Sequence, residues 1–352
     1  MDATTVEVIA IREHTHVAET RRRASALARR HGAGETREAQ IAIVASEIAS
    51  NVFKHAGGGL VFLLSLRDGE RTGMEIVASD KGPGMQNVSQ CLTDGYSTAG
   101  TMGGGLGAIV RQSDAWDIFS QPGRGTVSHA RFWFDDRPAS SSVVPATRAI
   151  RTVRPPAQLE ISGITMPKIG QDISGDCWAV RRAGQVSWIL VADGLGHGPL
   201  AAPAAQRATE IFESSPLDSP AEILARLHQG LRQTRGAVAA VAAVDPVAGE
   251  LRYASIGNIN GLRIDEAGTQ HLVVQDGTLG YQARPAREQR YAWTPTSTLI
   301  MNSDGLSSRW NLRDYPGLLM RTGSLVAAAL FRDLRRDNDD ATIVVARNGR
   351  PS

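Results

Sequence analysis

GYSTAGTMGGGLGAI, residues 95–109, is a glycine-rich loop that runs straight into an apolar helical pattern. Glycines ahead of a helix N-terminus leave backbone N–H groups unblocked, an arrangement that receives phosphate. By itself the string is a weak signal, because glycine-rich loops are also ordinary turns. Its neighbours decide the matter. Upstream, residues 35–55 read as a helix in which Ile41, Val44, Ile48 and Val52 form a core stripe. Glu47 and Asn51 lie four apart, one turn from each other on a neighbouring face. A carboxylate and an amide stacked in this way can serve one site, the first orienting a hydroxyl or water and the second holding a cation. Taken alone, the pair reads more simply as a solvated helix face. A strand over Met74–Ser79 then leads into Asp80-Lys81-Gly82-Pro83-Gly84. An acid at a strand end can accept from an adenine amino group, and the two glycines let the backbone turn tightly beside the base.

Taken in order, these pieces resemble the Bergerat-fold ATPase and kinase superfamily, which includes histidine kinases and anti-sigma-factor serine kinases. The N-box is Glu47-Ile48-Ala49-Ser50-Asn51, the first glycine box Asp80–Gly84 and the second Gly103–Gly107; the string at 95–109 is most similar to RsbT-type switch kinases. The resemblance covers roughly residues 5–134. It implies ATP and Mg²⁺ as cofactors, Glu47 as the catalytic base, Asn51 as the Mg²⁺ ligand and Asp80 as the adenine contact. It also implies nucleotide contacts from Gly82, Gly84, Ser97, Thr98, Gly103, Gly104, Gly105, Leu106, Gly107 and Thr126. No P-loop GxxxxGK[ST] occurs, so phosphate would be held by backbone and Mg²⁺.

The second half carries a different signal. Asp176 stands in SGD, Asp193 in VADGLGHG, Asp304 in NSDG and Asp339 in DDAT, each at or near a strand end beside small residues. Asp-Gly pairs are commonly plain turns, and Asp265 and Asp276 are read that way. Asp193, Asp304 and Asp339 each adjoin an apolar strand, which would expose their carboxylates at the mouth of a sheet. Carboxylates converging without cysteine or histidine favour Mg²⁺ or Mn²⁺ over zinc, and two such ions can clamp a phosphoryl group. The pattern resembles the metal-dependent type 2C phosphatases, in their SpoIIE/RsbX branch, over about residues 159–347. The resemblance implies two Mn²⁺ or Mg²⁺ ions bridged by Asp176 and Asp193, with the Gly194 carbonyl, Asp304 and Asp339 completing the site. Asp172 is an extra acid, and Cys177-Trp178 replaces the tyrosine-rich stretch often found after the first aspartate. His197 reads equally as a phosphate-side donor or a helix-start turn residue, and Asp340 as a turn or supporting residue.

Between Asp135 and Gln158 the chain holds Pro138, Pro145, Pro155, Pro156 and a Ser140–Ser142 run, without periodicity. This reads as a linker that separates a domain at 1–134 from one at 159–348. The fold class expected is α+β in two domains: a Bergerat α/β sandwich with helices on one face of a mixed sheet, then a type 2C α-β-β-α sandwich. In the second domain, helices are expected at 199–214, 220–235 and 324–334.

The 352 residues suffice for two cores. A net charge of +2 and no basic stripe interleaved with aromatics argue against nucleic acid. Two distant cysteines argue against a disulfide scaffold. With no signal peptide and no apolar run near ~20 residues, a soluble cytoplasmic protein is expected. The reading that results is a bifunctional bacterial signalling regulator, an ATP-dependent Ser/Thr kinase fused to a phosphoserine/phosphothreonine phosphatase. The resemblance implies STAS-domain phosphoprotein partners and a sigma-factor regulatory module. The alternative keeps the phosphatase and makes the first domain a nucleotide-gated module that sequesters a partner without phosphotransfer. Opposed activities would waste ATP unless partner binding or domain arrangement biased one over the other.

Overall fold

The structure is a computed structural model that describes residues 1–88, 105–135 and 159–349. By its contacts the chain forms two compact units, Met1–Val144 with Tyr315–Asp333, and Pro145–Asp314 with Leu334–Ser352. Ser97, Thr98, Gly103 and Gly104, and nearly all of the 135–158 linker, lie outside the described residues.

In the first unit the elements are β1 (Asp2–Ile11), α1 (Thr15–Arg30), α2 (Glu35–Ala56), β2 (Gly59–Asp68), β3 (Arg71–Asp80), α3 (Gly105–Gln112), β4 (Ala115–Gln121) and β5 (Gly125–Trp133). The strands lie in the order β1-β2-β3-β5-β4. All four ladders between them are antiparallel, so in these pairings the mixed sheet expected from the sequence is an antiparallel one. The reason is local: the two helices intervene between β1 and its own neighbour β2, and the remaining strands meander back and forth. The α2 stripe Ile41, Val44, Ile48 and Val52 packs with Leu27 and Ala28 of α1 onto Ile9, Val61, Leu63, Met74, Ile76 and Phe132. The opposite faces of β2 and β3 are buried as well, at Phe62, Leu64, Glu75 and Val77. Period-2 alternation is therefore absent from β2, which reads as a continuous apolar run. The segment Tyr315–Asp333 supplies partners on that side. Phe331 meets Phe62 edge to face at 5.9 Å, and Ser324 hydrogen-bonds Glu75.

The second unit holds β6 (Leu159–Met166), β7 (Asp176–Ala183), β8 (Val186–Gly194), α4 (Ala202–Ser214), α5 (Pro220–Gly230), β9 (Ala237–Asp245), β10 (Glu250–Ile256), β11 (Asn260–Asp265) and β12 (Gly268–His271). These are followed by β13 (Gly277–Thr278), β14 (Gln282–Ala283), β15 (Gln289–Ala292), β16 (Thr298–Asn302) and β17 (Ala341–Asn348); the helix α6 (Gly323–Leu334), which precedes β17 in the chain, belongs to the first unit up to Asp333. One sheet runs β15-β10-β9-β8-β7; in the other, β12-β11-β16-β17-β6 are neighbours. Strand β9, AVAAVAAVD, shows how the layers form. Ala239, Val241 and Ala243 pack under α4 and α5 with Phe212, Leu224 and Leu227. Ala240, Ala242 and Val244 face the other sheet with Ile161, Leu299, Met301 and Val344. Alanine on both faces keeps the layers close.

Two helices differ from expectation. The helix read at 199–214 is broken: a 3₁₀ turn at Gly198–Leu200 precedes α4, because Gly198 takes φ +62° and Pro199 and Pro203 each lack an N–H. The helix read to Arg235 stops at Gly230. Among the described residues no helix is long and apolar enough to cross a membrane.

Candidate functional site

Two sites form, one in each unit. In the first, α2 presents Glu47 and Asn51 toward the start of α3. A β-carbon built at Gly105 would stand 2.8 Å from Glu47 Oε2 and 3.5 Å from Asn51 Oδ1. Glycine at 105 thus leaves the Glu47 and Asn51 side chains in place where α2 meets the start of α3, and Leu106 and Gly107 follow on the same turn. Asp80 closes β3. Its Oδ1 accepts from Gly82 N at 2.9 Å and Thr126 N at 3.1 Å, so one carboxylate oxygen ties the first glycine box to the start of β5. Burial raises the Asp80 carboxyl above the ordinary range, opposed by those two N–H donors. Gly125 (φ +101°) would place a β-carbon 2.1 Å from the Asp80 carbonyl, and Gly84 (φ +67°) one 2.1 Å from that of Gln121. Both positions therefore demand glycine for space and for backbone conformation. The structure brings together Glu47, Asn51 and Gly105 on one side, and Asp80, Gly82 and Thr126 on the other.

The second site grows from sheet register. Asp176 begins β7 and stands directly opposite Asp193, near the end of β8. Asp304 follows the end of β16 by two residues, and Asp339 and Asp340 immediately precede β17, which pairs with β16. All four acids therefore emerge at sheet ends. Asp193, Asp304 and Asp339 line a cavity of about 580 Å³, together with Leu195, His197 and Asn258 among others, and no Lys or Arg lines it.

Three polar residues that the sequence did not single out as site residues contact the site, two of them holding an acid and the third meeting His197. The buried Ser303 hydroxyl donates to Asp176 Oδ2 at 2.5 Å while accepting from Thr342 N at 3.0 Å. Asn258 Nδ2 donates to Asp304 Oδ2 at 2.7 Å. Lys168 Nζ stands 3.1 Å from His197 Nε2. Gly194 N donates to the Gly175 carbonyl at 2.9 Å, locking the SGD turn to the end of β8. Burial is the main cause that raises the Asp176 and Asp193 carboxyls above the ordinary range; repulsion adds to it, from Asp340 and Asp304 at Asp176, and from Asp176, Asp304 and Asp339 at Asp193. Asp339 is raised chiefly by burial too. Asp172 is exposed on its loop, and the Cys177 thiol is turned inward to the Ala205 carbonyl at 3.2 Å.

The donor set suits a hard divalent cation: carboxylates crowded at sheet ends, facing a cavity that no Lys or Arg lines among the described residues. Among the described residues no three such side chains stand close enough to enclose a single ion. Asp193 stands opposite Asp176 in the β7–β8 ladder and shares the cavity lining with Asp304 and Asp339.

Comparison with known proteins gives each half a family. Residues 12–130 match the histidine kinase-like ATPase domain, and residues 183–348 match Stage II sporulation protein E (SpoIIE). Serine/threonine-protein kinase RsbT of Bacillus subtilis (strain 168) is 34% identical over 107 residues, 30% of this chain and 80% of RsbT. Phosphoserine phosphatase RsbX of the same organism is 24% identical over 141 residues, 40% of this chain and 71% of RsbX. A solved structure from work on the bacterial stressosome, a modular system adapted to control secondary messenger signaling, is 31% identical. It matches at a TM-score of 0.51, over 54% of this chain and 100% of that one. The motifs, the two folds and these relatives agree: the chain belongs to the RsbT family through its first half, and its second half is a SpoIIE-type, type 2C phosphatase domain.

Proposed function

We propose that the protein is a partner-switching regulator with two opposed activities. A domain at 1–134 transfers phosphate from ATP·Mg²⁺ to Ser or Thr of a STAS-domain partner. Beyond the 135–158 linker, a domain at 159–348 hydrolyses phosphoserine or phosphothreonine on such a partner, in control of a sigma-factor module or a related output. The names of the relatives RsbT and RsbX support the pairing.

The observation that carries the phosphatase reading is the cavity of Asp193, Asp304 and Asp339, with Asp176 beside it and, among the described residues, no Lys or Arg in its lining. With His197 and its Lys168 neighbour at one side and, among the described residues, no Lys or Arg in the lining, the counter-charge for the carboxylates and a phosphate dianion would come from two Mn²⁺ or Mg²⁺ ions. Asp176, Asp193, the Gly194 carbonyl, Asp304 and Asp339 would hold them. Ions so placed supply Lewis-acid charge to the phosphoryl oxygens and activate a water. The chain's own part is positional: Ser303 aims Asp176, Asn258 aims Asp304, and the Lys168–His197 pair stands at the rim where a leaving hydroxyl would depart. In the other domain, Glu47 beside Gly105 would orient the acceptor hydroxyl, and Asn51 would hold the Mg²⁺ that accompanies ATP.

Two assays on the full chain test these roles. With γ-labelled ATP and a STAS-domain protein, Glu47→Ala is expected to abolish labelling; ATP-dependent association without any labelling by the wild type would establish the sequestering module instead. With p-nitrophenyl phosphate and Mn²⁺, Asp193→Ala is expected to abolish hydrolysis, and an unchanged rate would refute the phosphatase centre.

A further inference from the structure

We propose that Asp340 is the positioning residue of the phosphatase centre: its side chain gathers the main chains of three separate loops and thereby sets the spacing of the metal-holding acids. The inference rests on the metal-centre reading above and goes beyond it, because that reading assigns Asp340 no part.

Asp340 is 2% exposed. Its Oδ1 accepts from Lys168 N at 2.7 Å, and its Oδ2 accepts from Gly175 N at 2.6 Å and Gly198 N at 2.9 Å. Each donor belongs to a loop at the site. Gly175 immediately precedes Asp176. Gly198 closes the turn that begins at Asp193 and Gly194. Lys168 follows β6 and carries the ammonium that meets His197. Asp340 also donates its own N–H to Asp339 Oδ1 at 2.9 Å, which aims that acid. Its main chain is hemmed in as well, since a β-carbon at Gly305, next to Asp304, would stand 1.8 Å from the Asp340 carbonyl. One residue thus touches the loops of all four acids.

With both carboxylate oxygens taken by main-chain donors, Asp340 serves as a brace rather than a ligand. The chemistry demands a carboxylate. Three N–H groups approaching from two sides need two acceptor oxygens, and an asparagine offers one oxygen and an amino group that would face a donor. An unmet N–H in so closed a place opens its loop or draws in water. The donors also constrain sequence, because Gly175 has no room for a side chain: a β-carbon there would stand 2.4 Å from that of Ala201 and 2.9 Å from Asp340 Oδ2.

The test is Mn²⁺ titration of nucleotide-free, full-length wild type and Asp340→Asn by calorimetry, with the Mn²⁺ dependence of p-nitrophenyl phosphate hydrolysis beside it. Replacing a group that orients metal ligands weakens metal affinity by about 10–100-fold. That loss is expected here with unchanged stoichiometry, and with kcat recovering at saturating Mn²⁺. A residue that merely stabilised the fold would lower the melting temperature and leave the Mn²⁺ Kd of the folded protein alone; an unchanged Kd therefore overturns the proposal. Loss of one Mn²⁺ equivalent overturns it too, by making Asp340 a ligand. Failure of the wild type to bind Mn²⁺ at all would refute the metal centre itself, a distinguishable result that takes this inference with it. Should Asp340→Asn not fold, hydrogen exchange on the wild type decides. The amides of Lys168, Gly175 and Gly198 are expected to be protected like core strands although they sit in loops, and loop-like exchange at all three overturns the proposal.

Discussion

Asp80→Asn separates the two jobs that one side chain is read to perform in the nucleotide pocket. Its Oδ1 is committed to the backbone, accepting from Gly82 N at 2.9 Å and Thr126 N at 3.1 Å. Oδ2 is the oxygen left to meet an adenine amino group. The substitution keeps an acceptor at the Oδ1 position, so the turn should survive, but it replaces Oδ2 by an amino group that faces another donor. A hydrogen bond to a charged acceptor contributes about 1.5–3 kcal/mol. At 1.4 kcal/mol per tenfold, ATP binding should weaken by about 10–100-fold. Nucleotide titration by calorimetry into the Mg²⁺-saturated full chain measures this, with purine riboside triphosphate, which lacks the amino group, as the second ligand. Wild type should prefer ATP over that analogue by a similar factor, whereas Asp80→Asn should scarcely distinguish the two, as in a double-mutant cycle run across protein and ligand. If Asp80→Asn weakens both nucleotides equally, Asp80 acts by shaping the loop and the adenine contact is wrong. Asp80→Ala is the internal control: it also removes the acceptor of Gly82 and Thr126, so it should lose stability in the absence of nucleotide.

Two further outcomes are expected. Glu75 is fully buried between Arg131 (2.6 Å), His129 (3.0 Å) and the Ser324 hydroxyl. Burial alone would raise its carboxyl, but Arg131 and His129, with the hydrogen bonds from His129 and Ser324, outweigh it and hold the carboxyl far below its ordinary value of 4.5. Glu75→Gln removes the buried carboxylate charge that Arg131 and His129 meet and should cost about 3–5 kcal/mol, read as lost hydrogen-exchange protection in β3 and β5 at neutral pH. Because the folded-state pKa is depressed, the contribution is complete above 4.5 and shrinks as the pH falls below it; a wild type–variant gap that widens on acidification would refute the assignment. Ser303→Ala removes the hydroxyl that donates to Asp176, a bond of about 1.5–3 kcal/mol to a charged acceptor, so half-maximal activation should need about 10–100-fold more Mn²⁺. An unchanged Mn²⁺ requirement would show that Asp176 keeps its position without Ser303.

What could be read in advance follows from the range of the interactions involved. The α2 stripe and the Glu47–Asn51 spacing are properties of a single helix, so the 3.6-residue period exposes them directly. The acids at β7, β8, β16 and β17 were visible because each follows or precedes an apolar strand, and a strand end is a local feature too. Strands β12 and β15 escaped: β12 is exposed at every position and β15 alternates between half-buried and exposed, so neither carries an apolar pattern. Ser303 and Asn258 were missed as parts of the site, and Asp340 was read only as a turn or supporting residue, for a different reason. Ser303 reaches Asp176 across 127 residues of chain, Asn258 reaches Asp304 across 46, and Asp340 reaches Lys168 across 172. Locally, each looks like a turn residue, which is also the commonest truth about Ser, Asn and Asp beside glycine.

The same contrast bears on the paired aspartates of DDAT. In sequence, Asp339 and Asp340 are nearly equivalent, two acids at the entry to an apolar strand. Their environments divide them: one faces the cavity with Asp193 and Asp304, the other turns inward to three main-chain amides. Both lie in the turn just ahead of β17, so the division comes from the contacts of that turn: Asp340 meets the amides of Lys168, Gly175 and Gly198, while Asp339 is left on the cavity side.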